Sequence, residues 1–509
     1  MANDIQQIIS LLHNPTDSDM ALVRKAYDFA AKAHGEQKRK SGEPYFNHLF
    51  ATAKNLADLG MGATTISAGF LHDTIEDVPV SAEEIEKEFG KEIRFLVEGV
   101  TKLGKIKYRG TGKHHTESLR KLFVAMSQDI RVLIIKLCDR LHNMQTLEYV
   151  PVEKQLRIAT ETLEIYAPIA YRLGIRKLNR ELEDLAFKFV LPKEYAEVAN
   201  LVKQRQGAEI EALEKFTKTL KKELAKNEVT NFKTEYRLKG LYSLYKKLQR
   251  KDIDKVHDIS ALRVIVPTVA DCYRVLGIIH SNWRPLPGRI KDYIAFPKPN
   301  GYQSLHTTIF TGDGGIIEVQ IKTPEMSQEA EYGIASHISY KQNQQNPKKQ
   351  KITNPSLLWV KKILPVTENW NENAGKIKST LNLDDVPKWV KELVEYQKDI
   401  GEDEFLDEVK TDFFEERIFV FTPKGDVIDL PIDSSVIDFA FAVHSVIGLH
   451  VVGAKVNGKF VAIYTTLKNG DRVEIDTKKN SKPNRKWIDY CKTTMAKRHI
   501  RAFLEKEKK

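Results

Sequence analysis

The sequence predicts a multidomain chain of the α and α+β classes, and three observations carry that expectation. The chain has 509 residues, which at about 150 residues per domain leaves room for roughly three to four domains. Apolar residues recur at spacings of three and four through the first 228 positions, the period of helices with one buried face. From about residue 229 short β-branched runs alternate with helical stretches, and from 413 strands punctuated by Gly and Asn take over. Hydrophobic residues at 41% and charged residues at 29% describe a soluble globular chain, which excludes disordered, collagen-like and disulfide-scaffold classes.

The elements follow in order. Residues 1–150 form an all-helical domain, and residues 151–228 stay helical but become charge-rich, as in AEIEALEKFTKTLKKELAKNE, a helical connector with an exposed face. Residues 229–341 form a mixed α/β domain with strands ISALRVIVP (259–267), HTTIFT (306–311) and GIIEVQIKT (315–323). The polar, proline-containing QNQQNPKKQKITNP (342–355) is a linker, and helices follow it to residue 412. Residues 413–478 form a small β-rich domain, with a hairpin turning at Pro423-Lys424-Gly425 and further turns at Asn457-Gly458 and Asn469-Gly470. Residues 479–509 are a basic helical tail.

Charge is unevenly placed. Residues 478–509 hold twelve Lys/Arg against three acids, which accounts for nine of the chain's net +11. Such a tail suits a polyanionic partner, RNA ahead of a membrane because no lipid-anchor motif is present; it equally suits a solvated helix face. Cys138, Cys272 and Cys491 lie far apart and form no ligand-like pair, which fits a reduced, cytoplasmic setting. No apolar run approaches about 18 residues, and the start MANDIQQIIS lacks the pattern of a signal peptide.

Read as one helix, ISAGFLHDTIEDV (66–78) crowds His72, Asp73, Glu76 and Asp77 on one side and leaves Leu71, Ile75 and Val78 for a core. Three carboxylates beside an imidazole repel one another, and a divalent cation removes that cost. The run IRVLIIKLCDRLHNMQTL (130–147) is nearly all apolar from Val132 to Leu137, so Asp139 sits at the edge of a buried helix and needs a metal or an arginine. His48, after the loop RKSGEPYFNH (39–48), offers a second imidazole. A His-Asp dipeptide by itself is more often surface chemistry. The combination of HDTIED, CDRLHN and GEPYFNH closely resembles the hydrolase domain of the RelA/SpoT homologues, which make and degrade guanosine tetra- and pentaphosphate. The resemblance implies an all-helical HD-type fold, with His48, His72, Asp73 and Asp139 as ligands of Mn²⁺. It implies Glu76 and Asp77 as the catalytic acidic pair, and Arg39, Lys40, Ser41 and Asn143 as guanosine-pocket residues. Cys138 stands where a small residue is expected, a substitution that is tolerated.

In GIIEVQIKT, Glu318, Gln320 and Lys322 point one way and Ile317, Val319 and Ile321 the other, which alone describes a half-buried strand with a solvated face. Asp258 closes KVHD just before an apolar strand and beside a basic cluster, a plausible Mg²⁺ ligand. No Walker-type loop occurs, so side chains must grip the phosphates. The stretch GRIKDYIAFPKPNGYQSLHTT (288–308), with YRLKGLYSLYKK, HDISALR, IIEVQIKT and AEYGIASHISYK, is similar to the synthetase signature of the same family. The resemblance implies a nucleotidyltransferase-like domain that moves pyrophosphate from ATP to the 3′-OH of GDP or GTP. Asp258 then holds Mg²⁺, and Glu318 shares it or acts as base. Tyr302 stacks on guanine, and Lys298, Asn300, His306 and Gln320 line the acceptor and phosphate sites. Arg237 and Arg263 flank the adenine or its phosphates, while Lys239, Ser243 and Lys247 hold the ATP phosphates. Arg289-Ile290-Lys291-Asp292 is the basic version of a family loop, the version that accompanies two-activity members.

Residues 413–478, through EERIFVFTPKGDVIDLP, VIDFAFAVHSVIG and GAKVNGKFV, resemble the family's β-grasp-like TGS domain, which implies contact with uncharged tRNA on the ribosome. His444 matches the position of that contact and reads alternatively as a core-edge histidine. The tail resembles the start of a further helical domain. The whole is identified as a bifunctional member, with two alternatives: a hydrolase whose synthetase is conditional, and a ribosome- or tRNA-binding regulator with vestigial catalysis.

Overall fold

The computed structural model describes residues 4–104, 129–249, 260–298, 301–311, 315–336 and 417–507. The described residues fall into two compact units, one before residue 337 and one from 417 onward.

The first unit opens with α1 (Gln6–Ile9), α2 (Asp17–His34), α3 (Phe46–Asp58), α4 (Ala63–Leu71), α5 (Thr74–Asp77), α6 (Ala82–Gly104) and α7 (Ile130–Gln145). Helix α2 starts at a capping box in which Thr16 and Asp19 satisfy each other's backbone N–H groups. Helix α6 is broken at Gly90, where φ is +85°. Helix α4 is buried along its whole length, against α2, α3 and α6. It reaches α3 closely because Gly69 has no side chain: a Cβ there would lie 2.4 Å from Leu56 Cδ1. As its composition predicts, α7 is almost entirely buried, and its buried Arg131 is paired with Asp129 and Glu92 at 2.6 Å each. The expected single helix over 66–78 is instead two. Helix α4 ends at Leu71, His72 and Asp73 form a turn, and α5 runs four residues before Val78 becomes extended. Ile75 and Val78 are half-buried as a result, while Leu71 is buried.

The connector comprises α8 (Val152–Glu161), a π-helical turn Thr162–Tyr166, α9 (Ala167–Arg172), α10 (Arg176–Val190) and α11 (Pro192–Lys226). Helix α10 touches α7 on one side and the following domain on the other. Helix α11 does not keep to a separate bundle. Leu213, Phe216, Leu220 and Leu224 are core residues of the α/β domain, so the physical boundary lies earlier than residue 228.

That domain holds β1 (Lys233–Leu238), α12 (Leu241–Leu248), β2 (Ser260–Ile265), α13 (Val269–Asn282), β3 (Lys291–Asp292), β4 (Leu305–Phe310), β5 (Ile316–Lys322) and α14 (Pro324–Tyr332). The sheet order is β1-β2-β5-β4-β3, with β2 and β5 parallel and every other pair antiparallel. Strands β2, β4 and β5 lie within a residue or two of the expected runs, and β1 and β3 are additional. Leu262, Val264, Ile317, Val319 and Ile321 face α11 and α13 in the core.

The second unit holds β6 (Arg417–Phe421), β7 (Val427–Pro431), α15 (Val436–Val443), α16 (Ser445–Leu449), β8 (Val451–Val456), β9 (Lys459–Val461), β10 (Val473–Thr477), α17 (Trp487–Tyr490) and α18 (Thr494–Lys506). The hairpin β6–β7 turns where expected, with Gly425 at φ +91°, and Asn457-Gly458 turns β8 into β9 with both residues at positive φ. The basic tail is not a detached segment. Trp487, Cys491, Ala496 and Ile500 join Val420, Phe439 and Val451 in one core. Asp438, fully buried, ties the two parts together: its carboxylate accepts from the N–H and hydroxyl of Ser435, the N–H of Lys492, and the N–H and hydroxyl of Thr493.

Candidate functional site

Four elements converge in the helical domain. His48 comes from α3, His72 from the end of α4, Asp73 from the turn before α5, and Asp139 from α7. His48 Nε2 lies 3.2 Å from Asp139 Oδ1 and 3.4 Å from Asp73 Oδ2. His72 Nε2 lies 3.2 Å from Asp73 Oδ2 and 3.9 Å from Asp139 Oδ1. Ligand atoms of His48, His72 and Asp139 all fall within 4.8 Å of one another.

Outer hydrogen bonds orient the rings. His72 Nδ1–H donates to the Gly69 carbonyl at 2.8 Å, so its Nε2 faces inward. His48 Nδ1 faces His142 Nδ1 at 2.9 Å, and burial, reinforced by His48 and Arg39, holds the His142 imidazole down to about 3. Nδ1 of the neutral His142 is met by both Arg39 Nη1, at 3.0 Å, and His48 Nδ1, and His48 turns its Nε2 inward as well. His72 Nε2 is buried, and among the described residues its polar neighbours are the carboxylates of Asp73 and Asp139. Burial opposes its charged form, but Asp73 and Asp139 prevail and raise it to about 9. Two buried ring nitrogens facing inward and carboxylates that favour positive charge between them form a donor set that fits a divalent cation. The buried Asp139 is compensated, as its position requires, but by Lys136 at 2.6 Å instead of an arginine. Burial pushes the Asp139 carboxyl up, and Lys136 with His48 overcomes this, holding it well below the usual carboxylate range.

The remaining expected residues surround this centre. Tyr45 O–H lies 2.8 Å from Asp73 Oδ2 and 2.5 Å from Asp77 Oδ2, which ties Asp77 to the ligand cluster. Glu76 and Asp77 are exposed beside it. Arg39 donates to Asn143 Oδ1, His142 Nδ1 and Thr146 Oγ1, and Asn143 donates to Asp139 Oδ1, so Arg39 and Asn143 lie against the centre. Lys40 is exposed and Ser41 half-buried, in a tight loop where Arg39 N–H donates to the Glu43 carbonyl. Sequence reasoning missed Tyr45, Lys136 and His142. The last two sit three before and three after Asp139 on one helix, a spacing that could have found them.

The second constellation lies on the polar face of the five-stranded sheet. Cross-strand register places Arg263 beside Gln320, Gln320 beside His306, and Thr308 beside Glu318. Gln320 Nε2 donates to Glu318 Oε1 at 2.9 Å, and Arg237 Nη1 donates to Gln320 Oε1 at 3.3 Å. Burial lowers His306 to about 4, so it is neutral. Tyr302 O–H donates to its Nε2 at 2.8 Å, and its Nδ1–H faces Glu318 Oε1 at 3.3 Å. This relay fixes both the Tyr302 ring and the Glu318 carboxylate. Lys298 Nζ sits 4.6 Å over the Tyr293 ring. The expected solvated face of β5 is in fact covered: Gln320 is 4% exposed and Lys322 is fully buried. Arg263 donates to Glu331 at 2.8 Å and to Glu235 at 3.3 Å. Arg237, Lys239 and Arg263 line a cavity of about 570 Å³ with Lys177 and Arg180 of α10. Ser243 donates to Glu183 Oε2 at 3.3 Å, and Lys247 is half-buried on α12. Arg289 and Lys291 are exposed at β3. Asp258 and Asn300 lie outside the described residues.

In the second unit His444 is exposed, not at a core edge, and its Nδ1 accepts from Val446 N–H at the start of α16. No described helix is long and apolar enough to cross a membrane.

Comparison with known proteins finds three family matches. Residues 26–176 match the HD domain, residues 236–345 the region found in RelA/SpoT proteins, and residues 418–477 the TGS domain. The guanosine-3′,5′-bis(diphosphate) 3′-pyrophosphohydrolase of Aquifex aeolicus is 44% identical over 513 residues, covering 100% of this chain and 68% of that protein. The GTP pyrophosphokinase of Myxococcus xanthus is 41% identical, covering 98% of this chain and 63% of its own length. The bifunctional (p)ppGpp synthase/hydrolase SpoT of Escherichia coli is 40% identical, covering 96% of this chain and 65% of its own length. The chain thus spans about two thirds of the length of these curated relatives. With a buried His/Asp cluster falling in the HD match, a polar sheet face falling in the RelA/SpoT region, and 44% identity to a relative covered over 68% of its length, the chain belongs to the RelA/SpoT family.

Proposed function

We propose that the chain both makes and degrades (p)ppGpp, in two separate sites. The observation that carries this is the coexistence of two chemically opposed centres in one compact unit: an inward-facing His/Asp cluster and, on a sheet, a carboxylate held by Gln320 and a neutral His306.

In the hydrolase site, His48, His72, Asp73 and Asp139 hold a divalent cation, Mn²⁺, which when bound polarises a phosphate oxygen and acidifies a water. Glu76 and Asp77 move protons. Water attacks the phosphorus on O3′, the P–O3′ bond breaks, one water proton passes to a carboxylate, and O3′ takes a proton to leave as the hydroxyl of GDP or GTP. Arg39 and Asn143 hold the guanosine, and Lys40 and Ser41 close the loop over it.

In the synthetase site, Glu318 takes the proton of the 3′-OH of GDP or GTP. The new O3′–Pβ bond forms as the Pα–O–Pβ link of ATP breaks, and AMP departs. Glu318 and Asp258 hold Mg²⁺, which neutralises phosphate charge when bound. Tyr302 receives guanine, with Lys298, Asn300, His306 and Gln320 around the acceptor. Arg237 and Arg263 flank the adenine or its phosphates, Lys239, Ser243 and Lys247 grip the phosphates, and Arg289 and Lys291 supply the basic loop. Positioning and charge neutralisation dominate such transfers, and base help adds about 10²–10⁴-fold.

The second unit takes RNA, an uncharged tRNA on the ribosome. Supporting this are the exposed His444 and the exposed Lys482, Arg485, Lys486, Arg498 and Arg501 on the docked tail.

The test is a nucleotide assay on the purified chain: ATP, GDP and Mg²⁺ in one tube, ppGpp and Mn²⁺ in another. Glu318→Gln is expected to abolish synthesis alone and Asp73→Ala hydrolysis alone. Loss of both activities from either change, with the fold intact, would refute the two-site reading.

A further inference from the structure

A guanine platform must present an open aromatic face, and Tyr302 does not. It is 3% exposed. Its edges are met by Tyr293 and His306, whose ring centroids lie 6.0 and 5.7 Å away at 64° and 81°. Over its face lies the guanidinium of Arg176, with Cζ 4.3 Å from the ring centroid. A guanidinium is planar and delocalised, and it stacks on an aromatic face much as a purine does. Tyr171 approaches the same guanidinium at 5.7 Å. Among the described residues no carboxylate pairs with Arg176, and its buried Nε finds no hydrogen-bond acceptor, so the rings are what hold it.

Arg176 does not belong to the sheet. It is the first residue of connector helix α10, two residues after Gly174 at φ +75°. That turn is pressed onto the α/β domain: Ile334 N–H donates to the Leu173 carbonyl at 3.0 Å. A Cβ on Gly333 would lie 2.3 Å from the Gly174 carbonyl carbon. The same helix lies against α7, which carries Asp139.

We infer that Arg176 is an intramolecular stand-in for the guanine base: it stacks on Tyr302, so GDP or GTP must displace it to enter the synthetase site. This rests on the assignment of Tyr302 as the guanine platform. Because Arg176 rides on α10, any movement of that helix away from the sheet uncovers the platform, and any that seats it closes the site. An effector can drive this only through unequal affinity for the two arrangements.

The sign of one substitution separates this from simple electrostatics. Deleting a cation near a polyphosphate site by itself weakens nucleotide binding. Deleting a plug strengthens it. In initial-rate assays on the full chain, Arg176→Ala is expected to lower KM for GDP by roughly 5- to 30-fold, the strength of a desolvated cation–π contact, and to leave KM for ATP unchanged. Arg176→Lys keeps the charge but not the plane, and is expected to lower KM for GDP as well; it carries the test if the alanine variant does not fold. In a Tyr302→Leu background the Arg176→Ala gain should vanish, which a structural role at a distance would not produce. An unchanged or raised KM for GDP, in chains that do make product, overturns the plug alone. Absence of ATP-dependent product from wild type and both variants overturns the synthetase reading and the plug with it.

Discussion

Replacing Lys322 with methionine should stabilise the α/β domain at neutral pH. The lysine is fully buried at the end of β5, among the described residues its ammonium has no hydrogen-bond partner, and the charged groups acting on it most strongly are mostly cations: Arg263, Arg237 and Arg176, against the carboxylate of Glu331. Burial, then Arg263 and Arg237, pull the amine from 10.5 to about 7. That drop corresponds to about 5 kcal/mol at ~1.4 kcal/mol per tenfold, and relaxation with water entry reduces the realised penalty to about 2–3 kcal/mol. The sign follows from proton counts. Below about pH 7 both folded and unfolded chains hold the proton, and the penalty is complete. Between about 7 and 10.5 the unfolded chain holds more protons, so wild-type stability rises with pH. Methionine has the same length and no charge, so the variant should be the more stable protein at pH 7 and lose that advantage by pH 10. Urea melts at pH 7, 8.5 and 9.5, with pulse hydrogen exchange of the 316–322 peptide identifying the relevant transition, measure the gap. A variant less stable at pH 7, or a gap that does not narrow with pH, would refute the argument.

Other outcomes follow from the same coordinates. Asp438→Ala strips the acceptor from donors on Ser435, Lys492 and Thr493, and should cost the second unit about 2–4 kcal/mol, lowering its calorimetric Tm by roughly 10–20 °C; an unchanged Tm would mean the tail docks without it. Mn²⁺ at about a hundred times its Kd should raise the Tm of the first unit by about 5 °C, and His72→Ala should remove the shift. Chelation should end hydrolysis while synthesis recovers on adding Mg²⁺; hydrolysis that survives chelation would exclude the His/Asp cluster as a metal centre.

Much of the fold was legible because it rests on local periodicity. The alternation of GIIEVQIKT placed Ile317, Val319 and Ile321 in the core, and the apolar run of α7 placed Asp139 at a buried edge. The Asn-Gly and Pro-Lys-Gly turns fell where their backbone preferences put them. The helix over 66–78 misled, because periodicity cannot register that His72 and Asp73 leave the helix to aim at a common point. That Trp487, Cys491, Ala496 and Ile500 of the tail pack into a core was not legible, because the partner surface around Phe439 is remote in sequence.

By itself the sequence determined the inventory: which residue types the two centres use, their order, and the helices and strands that carry them, since each depends on side-chain chemistry and short-range spacing. Tertiary structure alone decided how those groups meet. It brought the ring nitrogens of His48 and His72 against Asp73 and Asp139, and covered the polar face of β5. It also laid an arginine from a distant helix over Tyr302. The long-range pairs among them, His48–Asp139 and Arg176–Tyr302, join residues remote in sequence, and packing and electrostatics in the folded chain select them, not the local pattern.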